Sequence, residues 1–100
     1  MHIVSLKRLR DFWLKHPEAQ RPLQVWHTIV ERTAFRDFHH IKLVFNSADV
    51  VPPYTVFDIG GNKFRLVVIV RYQFGRVFVQ EVMTHKEYDR WCERIQRGKA

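Results

Sequence analysis

Cysteine is nearly absent from this sequence, in which Cys92 is the only one among 100 residues. A single cysteine excludes an internal disulfide and any cysteine-rich zinc site. Long apolar runs are absent as well, and none approaches the length needed to cross a bilayer. Residues 1–5 lack the pattern of a signal peptide. These absences predict a soluble, cytoplasmic protein that does not associate with membranes.

The spacing of zinc ligands is missing too, although the chain contains six histidines. His39 and His40 are adjacent, so their side chains would point apart on a helix and would not ligate one ion together. We therefore predict that the protein binds no metal and needs no cofactor.

Acidic residues are few relative to basic ones: 10 against 17, which gives a net charge of +7. Such an excess favours polyanionic partners, and either nucleic acid or an acidic protein would satisfy it. The length of the chain and its hydrophobic fraction of 46% predict one folded domain over residues 1–100 and argue against disorder.

The basic residues concentrate in one stretch of the chain. Between Ile59 and Gln80 there is no acidic residue, and there are four basic ones: Lys63, Arg65, Arg71 and Arg76. Lys63 and Arg65 lie two residues apart and therefore point to the same face of a strand, and Arg71 has the same parity. This pattern predicts a positive surface on a sheet, although an ordinary solvated strand end would also show it.

The strands are predicted around two turns. Gly60, Gly61 and Asn62 tolerate positive φ and permit a tight reversal, and a second turn lies around Gly75. The segment 64–70 is almost unbroken in β-branched, aliphatic and aromatic residues, which is typical of a central strand buried on both faces. The sequence thus predicts an antiparallel three-stranded meander over residues 54–59, 63–72 and 77–83.

Helical periodicity precedes this meander. Ser5 is a candidate N-cap for a helix that Pro17 stops, and Pro22 is placed to open a second helix. A third helix is predicted from Ala34 to Phe45, followed by a proline-containing loop over residues 46–53. We interpret the apolar stripes of these helices as core, and the stripes include Phe12, Trp13 and Trp26.

A capping box opens the C-terminal helix. Thr84 is placed to accept a hydrogen bond from the amide of Glu87, whose carboxylate reaches back to the amide of Thr84. The helix that follows is predicted to be short, with a frayed basic tail over about residues 90–100. The predicted fold is therefore α+β, with N-terminal helices packed on the antiparallel meander and a short C-terminal helix.

Two side chains at this helix start carry candidate chemistry. His85 occupies the predicted first helical position, and Tyr88 lies three residues later on the same side. If this end lines one groove with Lys63 and Arg65, the site holds the imidazole, phenol and cations that metal-free RNA cleavage needs. A helix whose first turn merely contains a histidine is the competing interpretation of the same pattern.

Two segments of the sequence carry a family resemblance. Phe57–Leu66 contains the run Gly-Gly-Asn-Lys-Phe-Arg-Leu, and Thr84–Asp89 contains the capping box. Both resemble signatures of the HigB family, the toxins of bacterial type II toxin–antitoxin pairs, which have a RelE-like fold. Leu9–Trp13 and Phe45–Asp49 also resemble parts of that family, so the resemblance covers nearly the whole chain as far as Asp89.

The resemblance implies a metal-independent endoribonuclease that cleaves mRNA on the ribosome and inhibits translation. It also implies a HigA-type helix-turn-helix antitoxin that holds the toxin inactive, with operator DNA contacted only through that antitoxin. Carried onto this sequence, the implied catalytic residues are Lys63, Arg65, His85 and Tyr88. The predicted RNA-binding residues are Asn62, Arg71, Arg76 and Lys86.

The sequence also departs from the family pattern. Asp58 stands where the family often has asparagine, and Phe64 stands where it often has tyrosine. Two other functions fit the same residues: a non-catalytic module of this fold that binds RNA or the ribosome, and a small protein whose positive surface only binds an acidic partner.

Overall fold

The computed structural model describes residues 1–98, which form helices packed on both faces of one sheet. The helices are α1 (Leu6–Lys15), α2 (Gln20–Arg32), α3 (Phe38–Val44) and α4 (His85–Gly98). The strands are β1 (His2–Val4), β2 (Asp49–Val51), β3 (Tyr54–Ile59), β4 (Phe64–Arg71) and β5 (Arg76–Thr84). Two 3-10 turns, Pro17–Ala19 and Tyr72–Phe74, connect α1 to α2 and β4 to β5. The predicted α+β class is confirmed.

The predicted meander forms the centre of a wider sheet. Strands β3, β4 and β5 pair antiparallel in sequence, with register partners that include Ile59 with Phe64 and Arg65 with Met83. The full order is β1-β5-β4-β3-β2, in which β1 runs parallel to β5 and β2 runs antiparallel to β3. The sheet is therefore mixed and has five strands, two more than the meander.

One prediction about the segment before the meander is wrong. Residues 46–53 were expected to form a loop, but Asp49–Val51 is the edge strand β2. Val50 and Val51 are β-branched and suit a pleated surface, and the hairpin strand β3 supplies the hydrogen-bonding partner. A three-residue strand is too short to show a period of its own, so the neighbouring prolines dominated the sequence pattern.

The first face of the sheet carries the main core. Helices α1, α2 and α3 place their apolar stripes on this face, and Phe12 and Trp13 pack at the margin of the same core. The interpretation of these aromatic residues as core is confirmed. The most deeply buried side chains here are Leu9, Leu23, Trp26, Val30, Ile41, Leu66 and Val68.

The second face of the sheet is covered at one end by α4. Trp91 of this helix packs on Val56, Val67 and Met83, which belong to three adjacent strands. Strand β4 therefore has apolar contacts on both faces, as its unbroken hydrophobic run predicts. Because side chains alternate along a strand, Arg65 shares this second face with Val67.

The ends of the N-terminal helices differ from the predicted ones. Ser5 precedes α1, but its φ of 81° is left-handed and its side chain makes no capping hydrogen bond. Helix α2 begins at Gln20, directly after a 3-10 turn, so Pro22 lies within its first turn instead of opening it. Helix α3 begins later than predicted because Asp37 caps it by accepting a hydrogen bond from the amide of His40 at 2.9 Å.

The C-terminal helix starts as predicted and ends later. The Thr84 amide donates to Glu87 Oε1 at 2.8 Å, and the Glu87 amide donates to Thr84 Oγ1 at 3.2 Å, which confirms the capping box. The expected frayed tail over residues 90–100 is corrected as far as Gly98, because α4 is helical through that residue. Lys99 and Ala100 lie outside the described residues.

Packing on the sheet accounts for the length of α4. Trp91 is buried against the second face and Ile95, one turn later, packs on the same cluster. Tertiary contact of an apolar stripe stabilises a helix more than its intrinsic propensity does. Within residues 1–98, no helix has both the length and the apolar character needed to span a membrane.

Replacement of Ile95 tests whether the last turns of α4 are docked. We expect Ile95→Ala to lower the free energy of unfolding by about 1 kcal/mol, since the half-buried side chain loses apolar contacts without leaving a full cavity. Chemical denaturation measures the change. Gln96→Ala, at an exposed position of the same turn, is the matched control. Equal stability of the two variants would mean that the helix end does not pack on the sheet.

Candidate active site

The loop between β3 and β4 lies against the start of α4. The backbone amide of His85 donates a hydrogen bond to the carbonyl oxygen of Lys63 at 3.1 Å. Phe64 and Thr84, the neighbours of these two residues, are register partners in β4 and β5. We call this region, residues Gly60–Lys63 together with His85–Tyr88, the turn–helix edge. The sequence predicted one site from these two segments only if they lie together. In the structure they lie side by side.

The two glycines at this edge are required by the backbone. Gly60 has a φ of 64° and Gly61 a φ of 71°, which are left-handed values that residues with a Cβ adopt at a cost. A Cβ at Gly60 would also lie 3.4 Å from the ring of Phe64. The turn thus brings Asn62 and Lys63 round onto the end of β4 with the backbone in a fixed path.

Arg65 is buried, with 8% of its surface exposed, and its guanidinium is held by neighbouring groups. Its Nε lies 3.1 Å from Oδ1 of Asp58, the cross-strand partner in β3. Its Nη2 donates to the side-chain oxygen of Asn62 at 2.7 Å, and its Nη1 donates to the carbonyl oxygens of Asn62 and Phe64 at 3.3 and 3.2 Å. Arg65 therefore braces the turn from within, and its charge is matched by Asp58.

Tyr88 covers the outer side of this network. Its ring centroid lies 5.7 Å from Cζ of Arg65, and the ring stacks on Trp91 at 5.7 Å and 20°. Burial raises the pKa of Tyr88, and Cys92 and Asp49 raise it further, while Arg65 acts in the opposite direction. The phenol therefore keeps its proton at neutral pH. It can donate a hydrogen bond or stack on a nucleobase, but it cannot accept a proton as a general base.

His85 stands at the first position of α4 and faces solvent. Its side chain is 49% exposed, and Nδ1 lies 3.5 Å from Oδ2 of Asp89, four residues later on the same helix face. This carboxylate orients the imidazole. Sequence reasoning missed Asp89 as a site residue, although its spacing of four from His85 was a signal available in the sequence.

Two predicted cations at the edge are accessible. Lys63 and Lys86 are exposed, and neither forms an ion pair with any residue in the described range 1–98. Asn62 is also at the surface, although its side-chain oxygen is engaged by Arg65. Lys63 and Lys86 are therefore exposed positive charges on the two segments that form the turn–helix edge.

The structure separates Arg71 and Arg76 from these residues. They pair with each other at the far end of β4 and β5, whereas Phe64 pairs with Thr84 at the near end. Seven residues of strand separate the two ends, which corresponds to about 23 Å. The predicted RNA-binding residues thus form two groups at opposite ends of the sheet.

The near group combines the parts of a proton-transfer site. The imidazole can take or give a proton, the exposed lysines stabilise negative charge, and the phenol supplies a fixed donor and a stacking face. Within the described part of the chain, no group of three or more His, Cys, Asp or Glu side chains is arranged to hold a metal ion.

Comparison with known proteins identifies the relatives of this chain. Residues 19–91 match the family described as HigB_toxin, the RelE-like toxic component of a toxin–antitoxin system. The chain is 34% identical over 92 residues to "mRNA interferase toxin HigB" of Escherichia coli strain K12, covering 89% of this chain and 88% of that protein. The same values hold for "mRNA interferase HigB" of Shigella flexneri. A further "mRNA interferase HigB", from Escherichia coli O6:H1, is 26% identical over 93 residues, with 90% of each chain covered.

The family match extends over the hairpin turn, the central strands and the start of α4, and it ends at the buried Trp91. It therefore contains every residue of the turn–helix edge. The matches to these relatives also cover most of this chain and most of each relative. The chain accordingly belongs to the HigB family of RelE-like toxins of toxin–antitoxin systems.

Proposed function

We propose that this protein is a toxin that cleaves mRNA at the turn–helix edge and thereby inhibits translation. The observation that carries the proposal is the hydrogen bond from the His85 amide to the Lys63 carbonyl, which joins the backbones of two residues whose side chains are both exposed. Family membership supports the substrate, since the curated relatives are named as mRNA interferases.

The proposed chemistry uses the 2′-hydroxyl of the RNA as nucleophile. A base removes its proton, the 2′-oxygen attacks the adjacent phosphorus, and the 5′-oxygen leaves with a proton from an acid. These steps cleave the RNA strand and leave a cyclic phosphate on one product and a free 5′-hydroxyl on the other. They consume no cofactor. His85 transfers one of these protons, and Lys63 stabilises the charge that develops on the phosphate oxygens.

The remaining residues of the edge position the substrate. Tyr88 keeps its proton at neutral pH, so it binds as a hydrogen-bond donor or as a stacking face for a base. Arg65 and Asn62 fix the turn that carries Lys63, and Lys86 attracts a neighbouring phosphate. The catalytic role that the family resemblance implies for Arg65 stays a prediction, and in the structure its charge is paired with Asp58.

The partners follow from the same assignment. We propose that the cleavage takes place on ribosome-bound message and that a HigA-type helix-turn-helix antitoxin neutralises the toxin. The net charge of +7 favours an antitoxin surface that presents acidic residues. Operator DNA would be contacted only through that antitoxin.

Mapping of RNA ends tests the proposed function. The purified protein is incubated with a messenger RNA, with and without ribosomes, and the new termini are sequenced. We expect discrete new ends whose 5′-hydroxyl chemistry matches attack by the 2′-oxygen, with more cleavage when ribosomes are present. Stable binding of the RNA without any new end would overturn the nuclease assignment and would favour a non-catalytic RNA- or ribosome-binding module.

A further inference from the structure

The far end of the sheet carries a second basic surface, at the connection between β4 and β5. A 3-10 turn over Tyr72–Phe74 and a left-handed Gly75, with a φ of 61°, close this hairpin. The amide of His2 donates to the carbonyl oxygen of Gly75 at 2.8 Å, so β1 is tied to the same turn. We call residues Arg71–Arg76 together with His2 the hairpin tip.

The charges of the hairpin tip lie abreast on adjacent strands. Arg71 pairs with Arg76 across β4 and β5, and Arg76 pairs with His2 across β5 and β1. Like charges directly opposite each other destabilise a sheet. Within residues 1–98 neither arginine forms an ion pair, and Asp37, whose charge acts on the nearby Tyr72, is engaged in capping α3. The tip is therefore a cluster of positive charge that the described residues leave uncompensated.

An aromatic residue, Phe74, lies between these arginines in the chain. Phe74 is 71% exposed, among the most exposed of the large apolar residues in the described range. The pair Ile69 and Phe78, on the same face of the sheet as Arg71 and Arg76, is only half-buried, because α4 covers the other end of that face. An exposed aromatic ring flanked by two arginines joins a surface for base stacking to donors for phosphate.

We propose that the hairpin tip is a second RNA-binding site, which holds single-stranded RNA apart from the point of cleavage. Phe74 stacks on an unpaired base, and Arg71 and Arg76 bind the phosphates on either side of it. This proposal rests on the proposed function, in that the same RNA strand serves as substrate at the turn–helix edge.

Single-stranded RNA fits the tip better than an acidic protein does. An acidic helix or strand would satisfy the arginines but would leave the ring of Phe74 without a use, whereas every base has a face that stacks on an aromatic ring. Both arginines also carry the planar fork that binds phosphate with two hydrogen bonds.

The distance between the two sites sets the length of RNA that can use both. The strand β4 separates them by about 23 Å. A stacked nucleic-acid strand rises about 3.4 Å per nucleotide, so roughly seven nucleotides bridge them. Long RNA therefore gains affinity by occupying both sites at once, whereas RNA of about four nucleotides can occupy only one of them.

The experiment compares two non-cleavable probes of 2′-O-methyl RNA, one of about 12 nucleotides and one of about four. Fluorescence anisotropy measures their affinity for the parent protein and for Phe74→Ala, Arg71→Gln and Arg76→Gln. We expect Phe74→Ala to weaken binding of the long probe about tenfold, the usual scale for losing one stacked base. Each arginine substitution should reduce the slope of log affinity against log salt by about 0.7. The short probe should bind the parent more weakly than the long probe does, because it cannot reach both sites at once.

Two substitutions on α1 serve as matched controls. Leu14→Ala removes an apolar side chain that is 75% exposed, and Arg10→Gln removes one exposed positive charge. Both residues lie on the helix that packs against the opposite face of the sheet. The proposal predicts that Leu14→Ala leaves the affinity for the long probe unchanged. Arg10→Gln measures the effect of losing one net charge, and each tip arginine should lose more affinity than this.

Two results would overturn the proposal. One is unchanged affinity of the Phe74→Ala protein for the long probe. The other is an equal loss for Arg10→Gln and Arg71→Gln, which would assign the effect to net charge alone. If the hairpin tip does not bind RNA but the parent still produces discrete mRNA ends, the proposed function stands. Absence of those ends, with tip-dependent binding intact, would remove the nuclease assignment and leave the second site as an RNA contact.

Discussion

We expect Arg65→Ala to lower the free energy of unfolding by about 3 kcal/mol and to reduce RNA cleavage sharply. The substitution leaves the half-buried Asp58 carboxylate without its charged partner, and it releases the side chain of Asn62 from its hydrogen bond. Because that hydrogen bond helps to fix the turn that presents Lys63, loss of structure and loss of activity should appear together. Chemical denaturation and a cleavage assay at a temperature where the variant stays folded measure the two effects.

Two further substitutions separate the structural role of Arg65 in the turn from the effect of its positive charge. Arg65→Lys keeps one positive charge beside Asp58 but cannot make the four contacts of the guanidinium, so we expect partial stability and partial activity. Asp58→Asn keeps an acceptor for Nε of Arg65 and removes the neutralising charge, so we expect tighter binding of RNA with a smaller loss of stability. If Arg65→Ala is as stable as the parent, the network does not brace the turn.

The buried state of Arg65 shows where strand parity falls short as a guide. Strand parity places Lys63 and Arg65 on one face, and both were therefore predicted to form a positive surface. In the structure Lys63 belongs to the turn before β4. Arg65 lies on the face where Tyr88 of α4 covers it, and its cross-strand partner is the acidic Asp58. The pairing of Arg65 with Asp58 depends on the length of the glycine turn, which sets the strand register. The burial of Arg65 under α4 depends on tertiary packing, which the local periodicity of the sequence does not encode.

The elements that the sequence predicted well have strong local signals. The central strand β4 has an unbroken apolar run, the turn before it has two glycines with positive φ, and α4 opens with a reciprocal capping box. Each of these features is specified by residues close together in the chain, so the sequence pattern and the structure agree. They are also the features that bring Lys63 and His85 together.

The elements that the sequence missed depend on distant residues. Strand β2 consists of three residues and exists because β3 offers it hydrogen bonds. The last turns of α4 are helical because Trp91 and Ile95 find an apolar surface on the sheet. Arg71 and Arg76 were grouped with the candidate site because they share the same basic stretch, but a strand carries its residues away from a site at about 3.3 Å per residue.

The largest functional effect is expected at His85. We expect His85→Ala to slow the cleavage of ribosome-bound message by about a hundredfold, the usual scale for losing a general acid or base. The exposed imidazole makes no contact that the capping box needs, since Thr84 and Glu87 bond to each other. Stability should therefore stay close to that of the parent. Single-turnover cleavage at saturating RNA measures the chemical step.

Thr84→Ala is the matched comparison one residue away. It removes the hydroxyl that accepts from the Glu87 amide, so we expect a loss of about 1 kcal/mol in stability. While folded, this variant should cleave at nearly the rate of the parent. The pair therefore separates a catalytic loss from a structural one: His85→Ala is stable and slow, and Thr84→Ala is less stable and active.

The dependence of the rate on pH identifies the group that moves the proton. Burial raises the pKa of Tyr88, so its phenol does not ionise near neutrality and cannot produce a change of rate there. Histidine is the side chain that ordinarily titrates in that range. We expect the rate of the parent to vary with pH near neutrality and the variation to disappear in His85→Ala. An unchanged profile in His85→Ala would make the imidazole a residue of the helix start only, and the proton transfer would then have to be sought at Lys63.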